Sequence, residues 1–394
     1  MNKQDRVMPG STIGILGGGQ LGRMMALAGR NMGYRFAVMD PVSDCPCGQV
    51  ADIEIHAAYD DVSAAARLAE QSDVITYEFE NVDAGVAEVL EQTSAVPQGS
   101  RLLYTTQHRL REKQAIEGAG VQVAPYAEIF SYPQLKEKVL AFGLPCVLKT
   151  ATGGYDGKGQ WVIRSMEEVE QAYDTLQATG AQLVLEKFIR FEKELSVIAA
   201  RNPAGEIAVY PVAENVHVHN ILHLSIVPAR VDASVAKRAE EMAKKIVGSL
   251  DVVGLIAVEL FYTSEGELYV NELAPRPHNS GHYTMEACAT SQFEQHIRAV
   301  CNLRLGRTTL LTPVVMVNIL GEHVTGIEKW VENGEPLPEG MEAKLHLYGK
   351  KERAAKRKMG HLNVLCSQID DALAWIESHE IWSEQTGIAG SSRA

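Results

Sequence analysis

The hydrophobic positions of this chain follow two patterns: short uninterrupted runs, and stretches in which apolar residues recur every three or four positions. Thr12–Leu16 is a run of the first kind. It ends in Gly17-Gly18-Gly19-Gln20-Leu21-Gly22, after which Met24, Leu27, Ala28 and Met32 recur at helical spacing. The order repeats with a run at 36–39, a helical stretch at 63–71, a run at Val74–Tyr77 and one more helix, before the short Ala95-Val96 and Pro97 close the unit. Strands alternating with helices predict a helix-covered parallel sheet, so residues 1–108 are expected to form a Rossmann-like N-terminal domain.

A helix through Arg109, Lys113 and Ile116 opens a second region, in which runs at 145–149, Gln160–Ile163, 183–185 and 195–200 predict further strands. An amphipathic helix at 233–250 leads into two runs, 257–262 and 268–273, with Ser264-Glu265-Gly266 as the turn of a hairpin between them. Residues 109–300 form this central region. Short runs at Val314–Leu320, 343–348 and 361–366 and a last helix at 370–378 place a small C-terminal domain at 301–394, whose end, 387–394, is small, polar and expected to fray. The expected fold class is α/β and α+β.

The hairpin carries an acid on each arm, Glu259 and Glu272. A turn with an even number of residues centred on Glu265-Gly266 sets these two opposite each other and on the same face of the ladder. Two like charges that close call for a cation, and oxygen ligands supplied one or two at a time suit Mg²⁺ bridging to nucleotide phosphates. An exposed hairpin with scattered acids is the other reading of the same stretch.

Length and composition narrow the classes. A chain of 394 residues exceeds one ordinary core, and 46% hydrophobic with 22% charged residues is a soluble globular composition. A net charge of −13 argues against nucleic-acid or anionic-membrane partners, while a local basic cluster could still hold a small anion. The first apolar run is too short for a secretory core and nothing is long enough to span a bilayer, so a cytoplasmic location is expected. Cys45, Cys47, Cys146, Cys288, Cys301 and Cys366 match no metal or redox spacing and are read as reduced, packing thiols.

Several motifs carry possible chemistry. Gly17, Gly19 and Gly22, with Asp40 18 residues further on, formally meet the dinucleotide fingerprint and keep a nicotinamide-dependent oxidoreductase in play. The same turn would hold any phosphate, or none. Glu78-Phe79-Glu80 follow the carboxyl end of a strand, where parallel sheets bind ligands. Gly153-Gly154-Tyr155-Asp156-Gly157-Lys158-Gly159 joins strand to strand beside Lys149, which suits a backbone that approaches a polyphosphate closely and is not a Walker loop. Glu186-Lys187-Phe188-Ile189 could meet a purine edge and sandwich its ring. His217, His219 and His223 at even offsets invite a zinc reading, rejected in favour of a solvated sheet face. Pro275 and Pro277 stiffen a loop from Arg276 to His282 with donors for a small oxyanion, and the basic cluster from Lys350 to Lys358 is either a solvated run or a phosphate grip.

Taken together and in order, GGGQLGRM, GGYDGKGQ, EKFI, the ELF and NELAPRPHNSGH arms and RKMGHLNV resemble the 5-(carboxyamino)imidazole ribonucleotide synthase family of ATP-grasp enzymes over nearly the whole chain. The resemblance implies an ATP-grasp fold, with residues 109–300 as the nucleotide-binding region including a mobile lid. It implies carboxylation of 5-aminoimidazole ribonucleotide by ATP and bicarbonate in purine biosynthesis, with Mg²⁺ and usually in a homodimer. Arg109, Lys149, Gly154, Tyr155, Asp156, Gly157, Lys158, Gly159, Gln160, Glu186, Lys187, Phe188, Ile189, Glu194, His217, Asn271 and Glu272 would contact ATP, and Glu259 and Glu272 would hold the metal. Gln20, Leu21, Glu78 and Tyr155 would face the ribonucleotide, whose phosphate would meet Lys350, Arg357 and Lys358. Asp156 and Lys158 would lie near the reacting amine, with Asp156 as proton acceptor, and Arg276, Asn279, Ser280 and His282 would hold the bicarbonate-derived anion. The chain departs from the family pattern in a longer segment before Thr12 and in Ala354-Ala355 where a proline-glycine turn is common before Arg357. A sibling ligase that uses formate, the formate-dependent glycinamide ribonucleotide transformylase, is the nearest alternative.

Overall fold

The computed structural model describes residues 6–154 and 158–382. Thr12–Leu16 pairs in parallel with Arg35–Asp40 on one side and Val74–Tyr77 on the other, and Ile53–His56 completes a four-stranded sheet at the outer edge of Arg35–Asp40. Thr12–Leu16, Arg35–Asp40 and Val74–Tyr77 are almost wholly buried, as parallel strands covered on both faces must be. Helix Gln20–Asn31 and the distant helix Gln292–Val300 share one core with Ile13, Ile15 and Phe36. Val62–Glu70 and Ala84–Thr93 contribute to a second core around Leu16, Ile75 and Tyr77. Ile53–His56 escaped the sequence reading because Glu54 and His56 alternate with its isoleucines in a four-residue strand. Ala95-Val96 forms no strand, although the Ala95 carbonyl accepts from Ile75 N–H.

Two antiparallel sheets make up the rest. The smaller has the order Tyr126–Ile129, Leu183–Lys187, Cys146–Thr150, Gln160–Ile163, and its helices Tyr132–Phe142 and Glu168–Gln177 close one core over Leu148 and Leu185. The larger runs through nine strands: Leu268–Ala274, Gly254–Tyr262, Lys193–Arg201, Ala213–Val218, Ile221–Val227, Val314–Leu320, Lys358–Leu365 and Glu342–Leu347, with Ile207–Val209 beside Lys193–Arg201. Ile221–Val227 bonds directly to Val314–Leu320, so the C-terminal strands prolong the central sheet instead of making their own. All six cysteines are buried free thiols, and among the described residues no helix is long and apolar enough to cross a membrane.

The hairpin does pair Glu259 with Glu272, by a route the sequence argument did not foresee. Tyr262 pairs with Leu268, which leaves a five-residue turn, Thr263 to Glu267, where an even one was expected. Glu267 N–H donates to the Thr263 hydroxyl and Thr263 N–H to the Glu267 carbonyl, closing the odd turn. One residue along the second arm, Asn271, then has no partner, and this bulge shifts the register by one so that Glu272 meets Glu259. The Gly254–Tyr262 arm stays regular against Lys193–Arg201 on its other side, so the irregularity belongs to the edge strand Leu268–Ala274.

Candidate active site

A cavity of about 1080 Å³ lies between the small sheet, the nine-stranded sheet and the loops that follow the parallel sheet. Arg109, Lys149, Gly154, Lys158, Gln160, Glu186, Lys187, Phe188, Ile189, Glu194, His217, Glu259, Asn271, Glu272, Arg276, Asn279 and Lys358 all line it. The volume is at the top of the range for small-molecule sites and exceeds what one drug-sized ligand fills.

The small sheet supplies the cationic floor. Lys149 Nζ stands 2.9 Å from Glu186 Oε2, and Lys113 Nζ 3.3 Å from Glu186 Oε1, all three nearly buried. Burial opposes the charge on Glu186, but the two lysines prevail and hold its carboxyl at about 2. Burial and the neighbouring Arg109 and Lys113 lower Lys149, with Glu186 working the other way. Beside this floor the glycine loop turns back on its strand: Thr150 N–H donates to the Gly159 carbonyl at 2.8 Å, and Gly153 and Gly159 take φ values of 77° and 69°. A Cβ on Gly154 would meet Lys158 O at 2.9 Å and Arg109 Nη2 at 3.1 Å. Tyr155, Asp156 and Gly157 lie outside the described residues.

On the large sheet His217 Nδ1 is 2.7 Å from Glu194 Oε2; burial disfavours the imidazolium, but Glu194 raises the histidine overall. The three histidines do not share a strand. His217 is next to last on one arm, His219 sits in the turn at φ 50°, and His223 is buried on the other arm, which corrects the solvated-face reading. Among the described residues no group of three or more His, Cys, Asp or Glu side chains could hold a metal by itself.

Of the two hairpin acids, Glu259 is closely paired and Glu272 is not. Burial works to raise Glu259, but His278, with Nε2 at 2.9 Å, keeps it at about 2. His278 Nδ1 faces two donors, Ser280 Oγ at 2.8 Å and Ser280 N–H at 3.3 Å, which places the ring hydrogen on Nε2 toward Glu259. Glu272 is raised by burial and by Glu259, and its cation Arg109 is 3.7 Å away. A carboxylate that burial and an ionised neighbour both press upward, opposite that neighbour, fits a divalent cation whose other ligands come from phosphate and water.

Arg276 grips Glu80 with both Nε and Nη2, the latter at 3.1 Å, so the guanidinium expected to meet an anion is paired across to the N-terminal region. The sequence marks Glu80 only as following a strand end; its partner is 196 residues away, beyond any spacing rule. Both polar atoms of the Asn279 side chain are buried without a hydrogen-bond partner while the residue lines the cavity. Ser280 Oγ is held by Ser196 Oγ at 2.8 Å, and His282, 1% exposed, packs on Phe293, Tyr348 and His361 and does not line the cavity.

The glycine turn answers the oxidoreductase reading. Gly19 and Gly22 N–H both donate to the Glu78 carboxylate, the latter at 2.6 Å, and Gly18 N–H donates to Asp40 at 2.7 Å. The amides that a dinucleotide pyrophosphate needs are occupied by the chain's own carboxylates, and Asp40 faces inward instead of toward a ribose. Burial pushes Glu78 up to about 6 against those amides and the Lys350 charge. Leu21 is in the apolar core, and Gln20 is half-buried at the head of the helix. The basic cluster divides: Lys351 pairs with Asp44 and Arg353 with Glu328, whereas Lys350 Nζ donates to Lys358 O at 2.8 Å and Lys358 reaches the cavity. Arg357 N–H donates to the Ala354 carbonyl at 3.1 Å, and its guanidinium meets Glu352, through the carbonyl at 3.2 Å and the carboxylate at 3.5 Å. Burial and Arg357 lower Lys350 to about 8.

Residues 10–107 match the ribonucleotide synthetase preATP-grasp domain, 114–293 the ATP-grasp domain and 314–374 the phosphoribosylaminoimidazole carboxylase C-terminal domain. The chain is 52% identical over 377 residues to the N5-carboxyaminoimidazole ribonucleotide synthase of Bacillus subtilis, with 96% of each chain covered. An ADP complex of an N5-carboxyaminoimidazole ribonucleotide synthetase has a TM-score of 0.92 at 55% identity, covering 98% of this chain and 100% of the other. The Aspergillus clavatus N5-carboxyaminoimidazole synthase in complex with ADP and 5-aminoimidazole ribonucleotide has a TM-score of 0.87 at 29% identity, covering 97% and 100%.

Proposed function

We proceed from the fact that this chain belongs to the N5-carboxyaminoimidazole ribonucleotide synthase family of ATP-grasp ligases, and we infer that it performs the family's reaction. That reaction is the ATP-dependent carboxylation of 5-aminoimidazole ribonucleotide to N5-carboxyaminoimidazole ribonucleotide in purine biosynthesis. Its fold is an ATP-grasp domain between a preATP-grasp domain and a C-terminal domain. The observation that carries the reading is the meeting, in one cavity, of the buried Lys149–Glu186 floor and the Glu259/Glu272 pair.

ATP would lie with its base against Lys187, Phe188 and Ile189, its ribose beside Glu194 and His217, and its phosphates along Arg109, Lys149 and the glycine loop. Lys187 N–H already donates to Pro125 O at 2.8 Å, so the base must use the other backbone groups of that segment. Glu259 and Glu272, with Asn271 beside them, would hold Mg²⁺, which neutralises phosphate charge and polarises the transferring phosphoryl group. Lys149 is held in place by Glu186 before substrate arrives, so its charge needs no reorganisation as the phosphoryl group moves.

Bicarbonate is a poor electrophile. Attack of its oxygen on the γ-phosphorus, with ADP leaving, makes carboxyphosphate; loss of phosphate then delivers CO₂ to the exocyclic amine, which gives up a proton as the C–N bond forms. Arg276 and Asn279 are assigned to hold the anion, Arg276 by sharing a guanidinium that Glu80 orients, and Asn279 with an amide otherwise unpaired. The assigned proton acceptor is Asp156, with Lys158 near it. Lys350, Arg357 and Lys358 are assigned to the ribonucleotide phosphate, and a cytoplasmic homodimer is inferred from the family alone.

ADP release is expected to require bicarbonate and to be strongly stimulated by 5-aminoimidazole ribonucleotide, as a coupled assay with each component omitted in turn will read. Comparable turnover with formate and glycinamide ribonucleotide would assign the chain to the sibling reaction instead.

A further inference from the structure

The strand that carries Glu272, Leu268–Ala274, is at the edge of the nine-stranded sheet, so its outward N–H groups have no strand to bond to. Two find partners elsewhere: Val270 N–H donates to Gln122 O at 2.9 Å, and Leu273 N–H to Glu112 Oε1 at 2.8 Å. In a regular strand the amides facing one edge are two residues apart. Here they are three apart, because Asn271 is inserted between them by the bulge. The carboxylate of Glu112 therefore stands where a neighbouring strand's carbonyl would, on the one amide whose direction the bulge has reset.

The placement follows from the helix that delivers it. Arg109, Glu112, Lys113 and Ile116 recur at positions i, i+3, i+4 and i+7 of Arg109–Gly118, the spacing of a buried stripe, yet three of the four are charged. Glu112 is 3% exposed, and the catalytic steps above make no use of it. A buried acid on a core position is costly unless it satisfies a group that nothing else can.

We propose that Glu112 is a positioning residue: by holding the Leu273 amide it fixes the bulge that turns Asn271 and Glu272 into the cavity, and thereby sets the site's affinity for the divalent cation that accompanies the nucleotide. The inference rests on Glu272 being a metal ligand. It acts through its hydrogen bond to the Leu273 backbone, so what matters is an acceptor at the right reach.

The test compares Glu112→Gln, Glu112→Asp, Glu112→Leu and Glu272→Gln by calorimetric titration of the full-length protein with ADP, with and without Mg²⁺. Electron paramagnetic resonance of Mn²⁺ in the ADP complex gives a second reading of the same site. Metal-free ADP affinity is expected to hold in the three Glu112 variants. The gain in affinity that Mg²⁺ brings is expected to fall on the order of tenfold or more in the Asp and Leu variants, the scale for partners of metal ligands. Glu112→Gln, which keeps an oxygen at full reach, should retain that gain, and Glu272→Gln should abolish it. If Glu112→Leu does not fold, the Asp and Gln pair decides the matter. Loss of the gain in Glu272→Gln with its retention in Glu112→Asp overturns the positioning role alone, as does loss in the Gln variant with retention in the Asp variant. Retention of the full gain in Glu272→Gln overturns the metal assignment itself, and the positioning role with it.

Discussion

Glu259 and Glu272 occupy one cross-strand pair and are driven in opposite directions. His278 keeps the first ionised against its burial, and burial together with that ionised neighbour raises the second. Glu272 is therefore the less firmly paired carboxylate of the two, its nearest cation being Arg109 at 3.7 Å, and under the proposed metal role Glu272→Gln should lower turnover on the order of a hundredfold or more, as loss of one electrostatic contact to a transition state does. Wild-type turnover with an unchanged Mg²⁺ requirement would rule that out. Buried histidines shape the response to acid, His282 and His361 among them, both held well below the ordinary range by burial. His296 accepts from Leu255 N–H on Nδ1 at 3.2 Å and meets Thr76 Oγ1 with Nε2 at 2.7 Å, and burial depresses it to about 3. Its folded value lies below the ordinary value of about 6.5, so the unfolded chain binds the extra proton, and this stability is full above pH ~6.5 and lost as pH falls toward ~3. His223, depressed by burial to about 4, adds to the loss over the same side of neutrality. Denaturant midpoints between pH 7 and 4.5 should fall, with Glu or Asp titration superimposed. In His296→Gln the proton uptake on unfolding near pH 5 should drop by about one.

At the scale of elements, the glycine turn is built around an internal carboxylate. A Cβ on Gly19 would run into Glu78, so Gly19→Ala is expected to cost ~1–3 kcal/mol, the scale of overpacking, read as a lowered denaturant midpoint. The basic segment shows the same selectivity. Lys351 and Arg353 pair with Asp44 and Glu328, and the turn before Arg357 is made with Lys356 at φ 63°, a left-handed conformation that favours glycine, whereas Ala354 and Ala355 take no positive φ. Arg357 then has only Glu352 to give up. Arg357→Ala should raise the Michaelis constant for the ribonucleotide well above any change for ATP, by roughly 1.5–3 kcal/mol in binding terms. Equal weakening of both substrates in steady-state kinetics would return the segment to the status of a solvated surface.

At the scale of the whole molecule, what the sequence disclosed and what it hid divide by range. Apolar runs marked most strands to within a residue or two, and both arms of the hairpin were legible, but the pairing of Glu259 with Glu272 came out as expected only because the bulge offsets the odd turn. The odd turn and the compensating bulge were not legible, since hydrophobic pattern does not count turn residues. The cavity's glycine loop, EKFI segment and acid pair are local in sequence and were found. Glu112 and Glu80 were not, because their partners are 161 and 196 residues away; the only local sign of Glu112 was a charged residue on a helical core stripe. Nor does any run of residues say which edge it will join, which is how strands expected to form a separate C-terminal unit came to extend the central sheet.

That continuity has a thermodynamic consequence. Strands bonded in series from Leu268–Ala274 to Glu342–Leu347 share one unfolding transition if the bond between Ile221–Val227 and Val314–Leu320 holds them together. A molecule that binds only the folded form then protects every strand by the same free energy, however far the strand is from the ligand. Saturating ADP with Mg²⁺ should slow amide hydrogen exchange in Val314–Leu320 and in Leu224 to Val227 by equal factors. Exchange in Val314–Leu320 that is fast and indifferent to nucleotide would mean that the sheet breaks at that seam before the rest of the protein opens.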